Sequence, residues 1–253
     1  MSDLKNSMLY WYPKVRNLPL SMPKTVIVEL KHQSRELREV CDGDFRLILC
    51  QWPEIIAAAR EVGFPLFLRT DEYSGKHNWD NTCYVKSEDD LESHIRTLIE
   101  ESFLVDMMGL PIRALVFREY IPMCNLFKAF HGNMPVNPEV RMFSKNGMVI
   151  CQHDYWIEDA IEQGTPKGKL PKDWKKLLNQ IKAANKASSD ELYLKAQIVA
   201  VVLKDDNWSI DFCRSKDSRW ILIDMALASY SWHPDECPNK SLFGERNLST
   251  TPP

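Results

Sequence analysis

The sequence predicts an α+β fold, because β-type hairpins and amphipathic helices both occur but do not alternate regularly along the chain. Three pairs of short apolar runs are each joined by a polar or glycine-containing turn: residues 64–69 with 81–85, 140–143 with 148–153, and 208–212 with 220–225. Helical patterns stand between them at residues 52–62, 87–103 and 173–187. A parallel α/β sheet would instead show a helix after each strand.

The remaining segments complete the predicted order of elements. Residues 1 to about 25 carry aromatic residues and three prolines, which predicts an extended arm. Further strands are predicted at residues 25–30, 44–51, 115–121, 127–130 and 197–203, with a charged helix at 34–41. The tail beyond Pro238 is expected to be disordered.

Composition and charge favour an ordinary globular protein. The chain has 253 residues, of which 44% are hydrophobic and 26% charged, enough for one two-lobed domain or two small ones. A net charge of −3 and a pI near 6.1 make a nucleic-acid partner unlikely by composition. No apolar run approaches the roughly 18 residues of a membrane span, and the first residues do not resemble a secretory signal. We therefore expect no membrane association.

The cysteines indicate a reducing compartment. There are seven of them, an odd number, scattered along the chain and without a CxxC pair. This pattern predicts reduced thiols in a cytoplasmic protein, with neither a disulfide framework nor a zinc site.

One loop has the composition of a phosphate site. Arg69 ends the apolar run at residues 64–69, and Ser74, Gly75 and Lys76 follow in the loop. Arginine offers a fixed fork of donors, lysine a mobile charge, and glycine lets the backbone approach an anion closely. The GxxxxGKS/T spacing of a P-loop is absent. The alternative is a strand followed by a solvated, positively charged turn.

Two aspartates mark a candidate metal site. Asp211 and Asp224 lie on the two arms of the last hairpin, where Asp224 is expected to share a face with Leu222. Two carboxylates about 4 Å apart repel by roughly 4 kcal/mol at an effective dielectric constant of 20, so such a pair needs a compensating cation. Mg²⁺ takes oxygen ligands and leaves room for phosphates. The alternative is that each aspartate pairs with a surface lysine or arginine.

A third segment, residues 116–143, offers surface for a purine ring. It contains the strand end Arg118-Glu119-Tyr120-Ile121, where backbone polar groups stand beside flat hydrophobic side chains. Lys128 and Arg141 add cations on neighbouring predicted strands. Taken singly, each of these two is more often a surface charge than a ligand.

The order of these segments resembles a known superfamily. The specific matches are EVRMFSKNGMVICQHDYW at residues 139–156 and IDFCRSKDSRWILIDMA at 210–226. With the GFPLFLR and VFREYI strands before them, they resemble the ATP-grasp fold from about residue 22 to 235. Within it, the chain is similar to the divergent branch with two arginines and a lysine, typified by the cell-division-cycle protein 123 family of translation-factor assembly proteins.

The resemblance implies two α+β lobes with the nucleotide cleft between them. Residues 61–117 would form the first lobe and residues 118–237 the second, which holds the metal site. Residues 1–60 would be a lead-in region, and residues 238–253 a flexible tail.

The resemblance also implies roles for the cations. Arg69 would bind the α and β phosphates of ATP, and Lys76 the β and γ phosphates from a flexible loop. Arg141 would face the γ-phosphate or the transferred group, so Arg141 and Lys76 would be catalytic.

The other nucleotide and metal contacts follow from the same resemblance. Glu119, Tyr120 and Ile121 would form the hinge that holds adenine and ribose, with Arg118 and Lys128 also facing the nucleotide. Asp211 and Asp224 would bind Mg²⁺. Family members usually have asparagine where this chain has Ala226, which removes one ligand for a second Mg²⁺.

The function implied is ATP-dependent ligation of a carboxylate to an amine or similar nucleophile, through an acyl phosphate and with release of ADP. The acceptor would be an unidentified small molecule or peptide, and an open acceptor cleft around residues 231–237 would favour this function. The first alternative is an ATP-binding assembly factor that acts on a protein partner, which Ala226 favours. The second is a kinase-like phosphotransferase.

Overall fold

The chain folds into two units, each of which contains a four-stranded antiparallel sheet. The structure, a computed structural model, describes residues 4–32, 36–104 and 111–244. Unit 1 comprises Met1–Leu9, Pro23–Ile121 and His131–Met134. Unit 2 comprises Tyr10–Met22, Pro122–Phe130 and Pro135–Pro253. Helices accompany the antiparallel strands in both units, so the predicted α+β class is confirmed.

The helices and strands are numbered in chain order. The α-helices are α1 Met8–Val15, α2 Arg38–Cys41, α3 Arg46–Leu49, α4 Trp52–Val62, α5 Leu91–Leu104, α6 Glu158–Gly164, α7 Trp174–Ala187 and α8 Ser189–Val202. The strands are β1 Thr25–Glu29, β2 Leu66–Thr70, β3 Tyr84–Val85, β4 Ala114–Glu119, β5 Phe127–Ala129, β6 Met134–Val136, β7 Glu139–Lys145, β8 Met148–Asp154, β9 Trp208–Arg214 and β10 Trp220–Leu227. Short 3₁₀ helices occur at Leu4–Asn6, Lys76–Asn78, Glu88–Asp90, Ala228–Tyr230 and Lys240–Phe243.

The sheet of unit 1 has the strand order β1-β4-β2-β3. Alternate residues of a strand point to opposite faces. One face contributes to the hydrophobic core, where α4 and α5 pack on the fully buried residues Leu66, Leu68, Leu115 and Phe117. The opposite face therefore carries Phe67 and Arg69 of β2 and Arg118 of β4.

The sheet of unit 2 has the order β10-β9-β7-β8. Gln152 of β8 is paired with Met142 of β7 and donates a hydrogen bond to the Ser189 hydroxyl of α8, 3.2 Å. The helices α7 and α8 thus cover the face that carries Met142. The other face carries Arg141 and Asp211, which is where the charged groups of this unit lie.

Most predicted elements are confirmed to within a few residues, and one turn shows why. Asn146 and Gly147 connect β7 to β8 with φ angles of 51° and 78°. Two consecutive positive φ angles match the right-handed twist of a tight hairpin, and asparagine followed by glycine adopts them most easily.

The prediction of an extended N-terminal arm is wrong, because residues 8–15 form the helix α1. Met8, Trp11 and Val15 are all at most 1% exposed, and their spacing is that of one helical face. The Ser7 hydroxyl accepts a hydrogen bond from the Leu9 amide, 3.1 Å, at the start of the helix. This buried stripe outweighs Pro13, which lies inside the helix.

Two predicted strands are also helices. Residues 44–51 contain α3, where Asp44 accepts a hydrogen bond from the Arg46 amide, 3.0 Å, and so favours a turn. Residues 197–203 belong mostly to α8, whose buried residues Leu192, Ala196, Val199 and Ala200 have helical spacing. Ile198 and Val201 are exposed apolar residues on the same helix, and they hid this periodicity in the sequence.

The predicted C-terminal tail is partly ordered. The segment Lys240–Phe243 is a 3₁₀ helix, and Phe243 is 5% exposed, so the prediction of a flexible tail is wrong for these residues. Residues 245–253 lie outside the described part of the chain. The helix predicted at 34–41 is present as α2, with residues 33–35 also outside the described part.

Among the helices of the described residues, none has both the length and the apolar character that crossing a membrane would require.

Candidate functional site

Two arginines lie on the same face of the unit 1 sheet. Arg69 of β2 is paired with Val116 of β4, and Arg118 lies two residues further along β4, paired with Phe67. Both side chains are nearly buried, with 3% and 4% exposed. Arg69 Nε donates to the Thr70 carbonyl at 3.0 Å, and Arg118 Nε donates to the Thr25 hydroxyl at 3.3 Å. Strand register thus holds two guanidinium groups on neighbouring strands.

The loop with Lys76 is held in place by hydrogen bonds at several points. Gly75 has a φ of 61° and its carbonyl accepts from the Thr82 hydroxyl at 2.6 Å. Lys76 then begins the short helix Lys76–Asn78. Asn78 Nδ2 donates to Glu101 of α5 at 2.6 Å. The expectation of a flexible loop is therefore not met by the described contacts.

A second segment supports the same loop from the other side. The Gly132 amide donates to the His77 carbonyl at 2.9 Å, and the Asp80 amide donates to the Gly132 carbonyl at 3.1 Å. A Cβ atom on Gly132 would lie 2.2 Å from the Trp79 nitrogen, so only glycine fits here. The position of Lys76 depends on a segment more than 50 residues away in sequence, which sequence analysis did not reveal.

Aromatic side chains gather beside the predicted adenine hinge. Tyr120 lies 4.8 Å from Tyr84 and 6.3 Å from Trp79, measured between ring centroids, and Trp79 stacks on Tyr84 at 5.7 Å. Phe67 adds a ring 5.7 Å from Trp79. Burial, and then the neighbouring Tyr84, raises the pKa of Tyr120 above its usual value. Of this group only Tyr120 was predicted, because the other three come from separate strands and a loop.

The remaining hinge residues are less buried. Glu119 is exposed, its amide donates to the Lys24 carbonyl at 2.8 Å, and its carboxylate accepts from the Lys24 amide at 3.2 Å. Ile121 is half-buried. In unit 2, Lys128 is exposed on β5.

In unit 2, four polar residues stand in one row across the sheet. His153 of β8 is paired with Arg141 of β7, Arg141 with Asp211 of β9, and Asp211 with Asp224 of β10. Cross-strand partners lie on the same face, so the row presents adjacent side chains. The structure brings three predicted site residues together here and adds His153, which sequence analysis had assigned to a strand end.

The arginine in the row is tied to one aspartate. Arg141 Nε and Nη2 donate to the two oxygens of Asp211, each at 2.8 Å, a bidentate pair between nearly buried side chains. Burial opposes the charged form of Arg141, but the charge and hydrogen bonds of Asp211 outweigh it and raise the pKa of Arg141. The guanidinium also lies over the Tyr155 ring, 4.6 Å from its centroid.

A β-bulge places the second aspartate in the row. Leu222 is paired with Phe212, but Asp224 is paired with Asp211, so Ile223 is the extra residue in β10. The expectation that Asp224 shares a face with Leu222 is therefore wrong. Asp224 is half-buried, and its Oδ1 accepts from the Met225 amide at 2.9 Å.

Hydroxyl groups stand where the superfamily usually has an asparagine. Ala226 is paired with Ser209, whose Oγ lies 2.5 Å from Ser231 Oγ and 3.3 Å from the Ala226 carbonyl. Ser209 precedes Asp211 by two residues on β9 and so shares its face. Oxygen atoms are thus present near Ala226 although the amide is absent.

Comparison with known proteins agrees with this arrangement. A family model for ATP-grasp domains, that of family 3 in the clade named for two arginines and a lysine, matches residues 58–245. A search of curated proteins found no match. Among solved structures, the chain is similar to Cdc123 from Schizosaccharomyces pombe, with a TM-score of 0.52 and 15% identity, covering 90% of this chain and 86% of that one.

Two ligase structures are similar at a lower level. An ADP complex of purK, N5-carboxyaminoimidazole ribonucleotide synthetase, has a TM-score of 0.46 and 10% identity, covering 88% of this chain. D-alanine–D-alanine ligase from Bacillus anthracis, complexed with ATP, has a TM-score of 0.42 and 13% identity, also covering 88%. This chain spans only 44% and 54% of those two proteins.

The family match extends over well more than half of the chain. The chain belongs to family 3 of the two-arginine, one-lysine clade of ATP-grasp domains. The predicted ATP-grasp fold and the predicted likeness to Cdc123 are confirmed at the level of fold.

Proposed function

We propose that the chain binds ATP together with Mg²⁺ and uses it to join a carboxylate to an amine or a similar nucleophile. The observation that carries the proposal is the row Arg141–Asp211–Asp224 on one face of the unit 2 sheet, in a chain of the ATP-grasp superfamily. Opposite charges in a fixed row suit a metal ion and the phosphates that it binds.

The donor set fits Mg²⁺. Asp211 and Asp224 offer carboxylate oxygens, the ligands that this ion prefers. Arg141 occupies one lone pair on each oxygen of Asp211, and an ionised carboxylate has about four such sites, so Asp211 retains acceptor capacity. Mg²⁺ would supply charge neutralisation for the β and γ phosphates. The hydroxyls of Ser209 and Ser231 would add oxygen donors near Ala226.

Unit 1 supplies the other groups that an ATP molecule requires. Arg69 and Arg118 present two guanidinium groups on one sheet face, and Lys76 stands on a loop held by hydrogen bonds, so all three suit phosphate oxygens. Tyr120, with its neighbouring rings, supplies flat apolar surface for adenine. Glu119 is exposed at the end of β4 and offers a carboxylate to the ribose hydroxyls, and Lys128 of unit 2 adds a cation.

The reaction proceeds in two displacement steps. A carboxylate oxygen of the acid substrate attacks the γ-phosphorus, the bond to the β-phosphate oxygen breaks, and ADP leaves. The nucleophile then attacks the acyl carbon of the acyl phosphate, loses a proton, and inorganic phosphate leaves. Arg141 and Lys76 stabilise charge on the transferred group, because fixed cations oriented in advance lower the barrier without a covalent enzyme intermediate.

Calorimetric titration tests nucleotide binding. ATP and ADP are titrated into the full chain with Mg²⁺ and again with EDTA, and we expect tighter, Mg²⁺-dependent binding of ATP. Asp224→Asn should remove the Mg²⁺ dependence, whereas Asp217→Asn, in the exposed turn of the same hairpin, should not. Equal affinity with Mg²⁺ and with EDTA would contradict the metal assignment.

The phosphate role of Arg69 has its own test. Arg69→Met keeps the apolar volume of the buried stem and removes the charge. Hydrogen bonds to charged groups contribute about 1.5–3 kcal/mol each, so ATP should bind at least tenfold more weakly while adenosine is unaffected. Arg60→Met is the control, because Arg60 is exposed and pairs with Glu88 on the surface. Equal losses for ATP and adenosine would show that Arg69 does not bind phosphate.

Product analysis in a single turnover tests the reaction. The ligase consumes an acid and an amine for each ADP formed, and hydroxylamine as nucleophile would trap the acyl phosphate as a hydroxamate. A stable phosphorylated product would indicate a phosphotransferase instead. ATP binding without any consumption, over a panel of acids, would contradict the ligase function.

One observation favours the alternative, an ATP-binding factor that acts on a protein partner. Helix α8 exposes a row of apolar side chains, with Leu194 at 66% and Val201 at 58% exposed, flanked by Tyr193, Ile198 and Val202. Exposed apolar patches of this kind often mark protein interaction sites. Under this alternative, Leu194→Asp leaves ATP binding intact and abolishes the biological activity, and under the ligase function it leaves turnover intact.

We also infer a cytoplasmic location. It is supported by the seven cysteines, all of which are free thiols in the structure, as a reducing compartment would keep them. Alkylation of the native protein in cell extracts, followed by mass spectrometry, should find no disulfide.

A further inference from the structure

Four metal-ligating side chains gather in unit 2, outside the aspartate pair. Cys151, His153, His233 and Cys237 each place one ligand atom so that all four atoms lie within 4.8 Å of one another. Sequence analysis predicted no zinc site because the chain has no CxxC pair. The structure instead brings together a C-x-H pair and an H-x₃-C pair that are 80 residues apart in sequence.

The fold explains how the two pairs meet. Cys151 and His153 are two residues apart on β8, so their side chains lie on one face, paired with Phe143 and Arg141 of β7. His233 and Cys237 belong to the segment after β10, where the Cys237 amide donates to the Pro234 carbonyl at 3.2 Å and closes a turn. A rigid strand thus supplies two ligands, and a hydrogen-bonded turn supplies the other two.

The spacing of the ligand atoms suits a tetrahedral ion. Cys151 Sγ and His233 Nε2 are 3.5 Å apart. With Zn–S bonds of about 2.3 Å and Zn–N bonds of about 2.0–2.1 Å, a tetrahedral zinc site has a sulfur-to-nitrogen edge of about 3.6 Å. The observed pair therefore already stands at the distance that one bound ion would impose.

Two buried nitrogen atoms of this group point to a missing partner. His153 Nε2 and His233 Nδ1 are buried, and neither has a hydrogen-bond partner among the described residues. Most buried polar atoms in proteins are satisfied, so each exception calls for a specific explanation. A bond from an imidazole nitrogen to a metal satisfies such an atom.

The surroundings are also those of a metal site. Phe143 stacks on the His233 ring at 4.0 Å between centroids, and Phe243 lies 5.4 Å away, so apolar rings shield the group from water. Burial, followed by the neighbouring His153, lowers the pKa of His233 to about 4, which keeps its ring neutral at pH 7. Neutral imidazole is the form that binds metals.

We propose that Cys151, His153, His233 and Cys237 form a structural binding site for a zinc-class divalent cation. Thiolate and imidazole ligands in a tetrahedral S₂N₂ set select zinc over Mg²⁺, which prefers oxygen. Each thiol releases its proton to solvent on binding, so two thiolates balance the two positive charges of the ion.

A bound ion would fasten residues 233–237 to β8, directly beside the charged row. The Trp232 carbonyl, next to His233, accepts a hydrogen bond from Arg141 Nη1 at 3.4 Å. The site would therefore fix one wall next to Arg141 without taking part in nucleotide chemistry. The inference does not rest on the proposed ligase function, and its test needs no nucleotide.

The test uses the full chain purified under reducing conditions from zinc-supplemented medium. We expect one zinc ion per chain after gel filtration in buffer with a weak competing chelator. After removal of zinc, Co²⁺ titration should produce the visible d–d bands of tetrahedral cobalt and a thiolate charge-transfer band. Zinc should also raise the melting temperature of the chelated protein.

Matched variants separate this site from adventitious binding. Cys151→Ser and Cys237→Ser should each weaken zinc binding by more than the roughly 10- to 100-fold that loss of an outer-shell partner costs. Cys124→Ser, a partly buried cysteine of the same unit outside the group, should bind zinc like the wild type. The cobalt spectrum of the wild-type chain tests the proposal even if a variant fails to fold.

Three results would overturn the proposal. The first is a wild-type cobalt spectrum without thiolate charge transfer. The second is equal zinc affinity in the wild type, Cys151→Ser and Cys237→Ser. The third is a Cys151–Cys237 disulfide in protein purified without oxygen, which would show that the two thiols serve each other rather than a metal.

Discussion

The charged groups of the two units are positioned in different ways. In unit 2, His153, Arg141, Asp211 and Asp224 occupy one row because four neighbouring strands are in register. In unit 1, Lys76 stands on a loop whose place depends on hydrogen bonds from α5 and from the segment around Gly132. The comparison teaches that register fixes the unit 2 site, whereas separate loop contacts fix part of the unit 1 site.

The two sites also differ in what compensates their charges. Arg141 has a bidentate carboxylate partner within the row, so removal of either member leaves a charge buried beside nearly inaccessible neighbours. The unit 1 face combines Arg69 and Arg118 with aromatic rings such as Trp79 and Tyr84. Substitutions should therefore reduce the stability of unit 2 most strongly at the charge pair, and that of unit 1 at the packing of its loop.

The largest effect is expected for Asp211→Ala. The variant leaves the Arg141 guanidinium buried without its carboxylate, and breaking a buried pair from one side costs about 3–5 kcal/mol of unfolding free energy. Urea denaturation followed by circular dichroism measures the loss. The double variant Asp211→Ala with Arg141→Met should recover part of it, because the unpaired charge is gone.

The control for this prediction is Asp217→Ala. Asp217 pairs with Arg219 in the exposed turn between β9 and β10, and both side chains are more than half exposed. Exposed pairs contribute little, so the denaturation midpoint should barely change. Similar midpoints for Asp211→Ala and Asp217→Ala would show that the charged row does not hold unit 2 together.

The same contrast explains how much of the site could be read from the sequence. The last hairpin is visible in the IDF and LID runs, so the closeness of Asp211 and Asp224 was predicted correctly. The bulge at Ile223, which actually sets their pairing, was not, because no local residue pattern requires it. His153 joins the row through a second bulge, between the pairs of Phe143 and Ser144, which is equally silent in sequence.

Errors in the fold have a related cause. Helix α8 has apolar residues on several sides, so the β-like run at residues 197–203 misled the periodicity analysis. Helix α1 contains Pro13, and its buried stripe is settled by tertiary packing rather than by propensity. In unit 1, the contact of Gly132 with the Lys76 loop joins distant segments, and single-sequence patterns carry no information about such pairs.

The second prediction concerns that contact. Gly132→Ala would place a Cβ atom 2.2 Å from the Trp79 nitrogen and 2.3 Å from the Asn78 carbonyl carbon, and both neighbours are backbone. Because backbone cannot rotate away, the segments must separate, and overpacking of this kind costs about 1–3 kcal/mol. Urea denaturation should show a loss smaller than that of Asp211→Ala.

Hydrogen exchange locates the effect of Gly132→Ala. The amides of Gly132 and Asp80 donate across the contact, so they should exchange faster in the variant. Peptides from β9 and β10 in unit 2 serve as the internal control and should keep their protection. Unchanged exchange at residues 77–82 would show that the loop does not depend on this segment.

The smallest effect is expected at Tyr73, on the same loop. Its hydroxyl donates to Glu101 of α5 at 3.2 Å. Burial, and then the charge of Glu101, raises the pKa of Tyr73 above the ordinary value of 10.0. The unfolded chain therefore loses the phenol proton first as the pH rises above about 10, so this contribution to stability is complete below that pH and is lost above it.

The variant Tyr73→Phe isolates this contribution. Near pH 8 it should be less stable than the wild type by about 0.5–1.5 kcal/mol, the usual contribution of one hydrogen bond. The difference should shrink as urea denaturation is repeated at pH values above about 10, because only the wild type has a phenol to titrate. Tyr193→Phe, which removes an exposed hydroxyl from α8, should instead match the wild type near pH 8. A difference between Tyr73→Phe and wild type that stays constant across the whole pH range would mean that the Tyr73 phenol titrates alike in the folded and unfolded chains, and that the hydrogen bond to Glu101 does not secure the Lys76 loop.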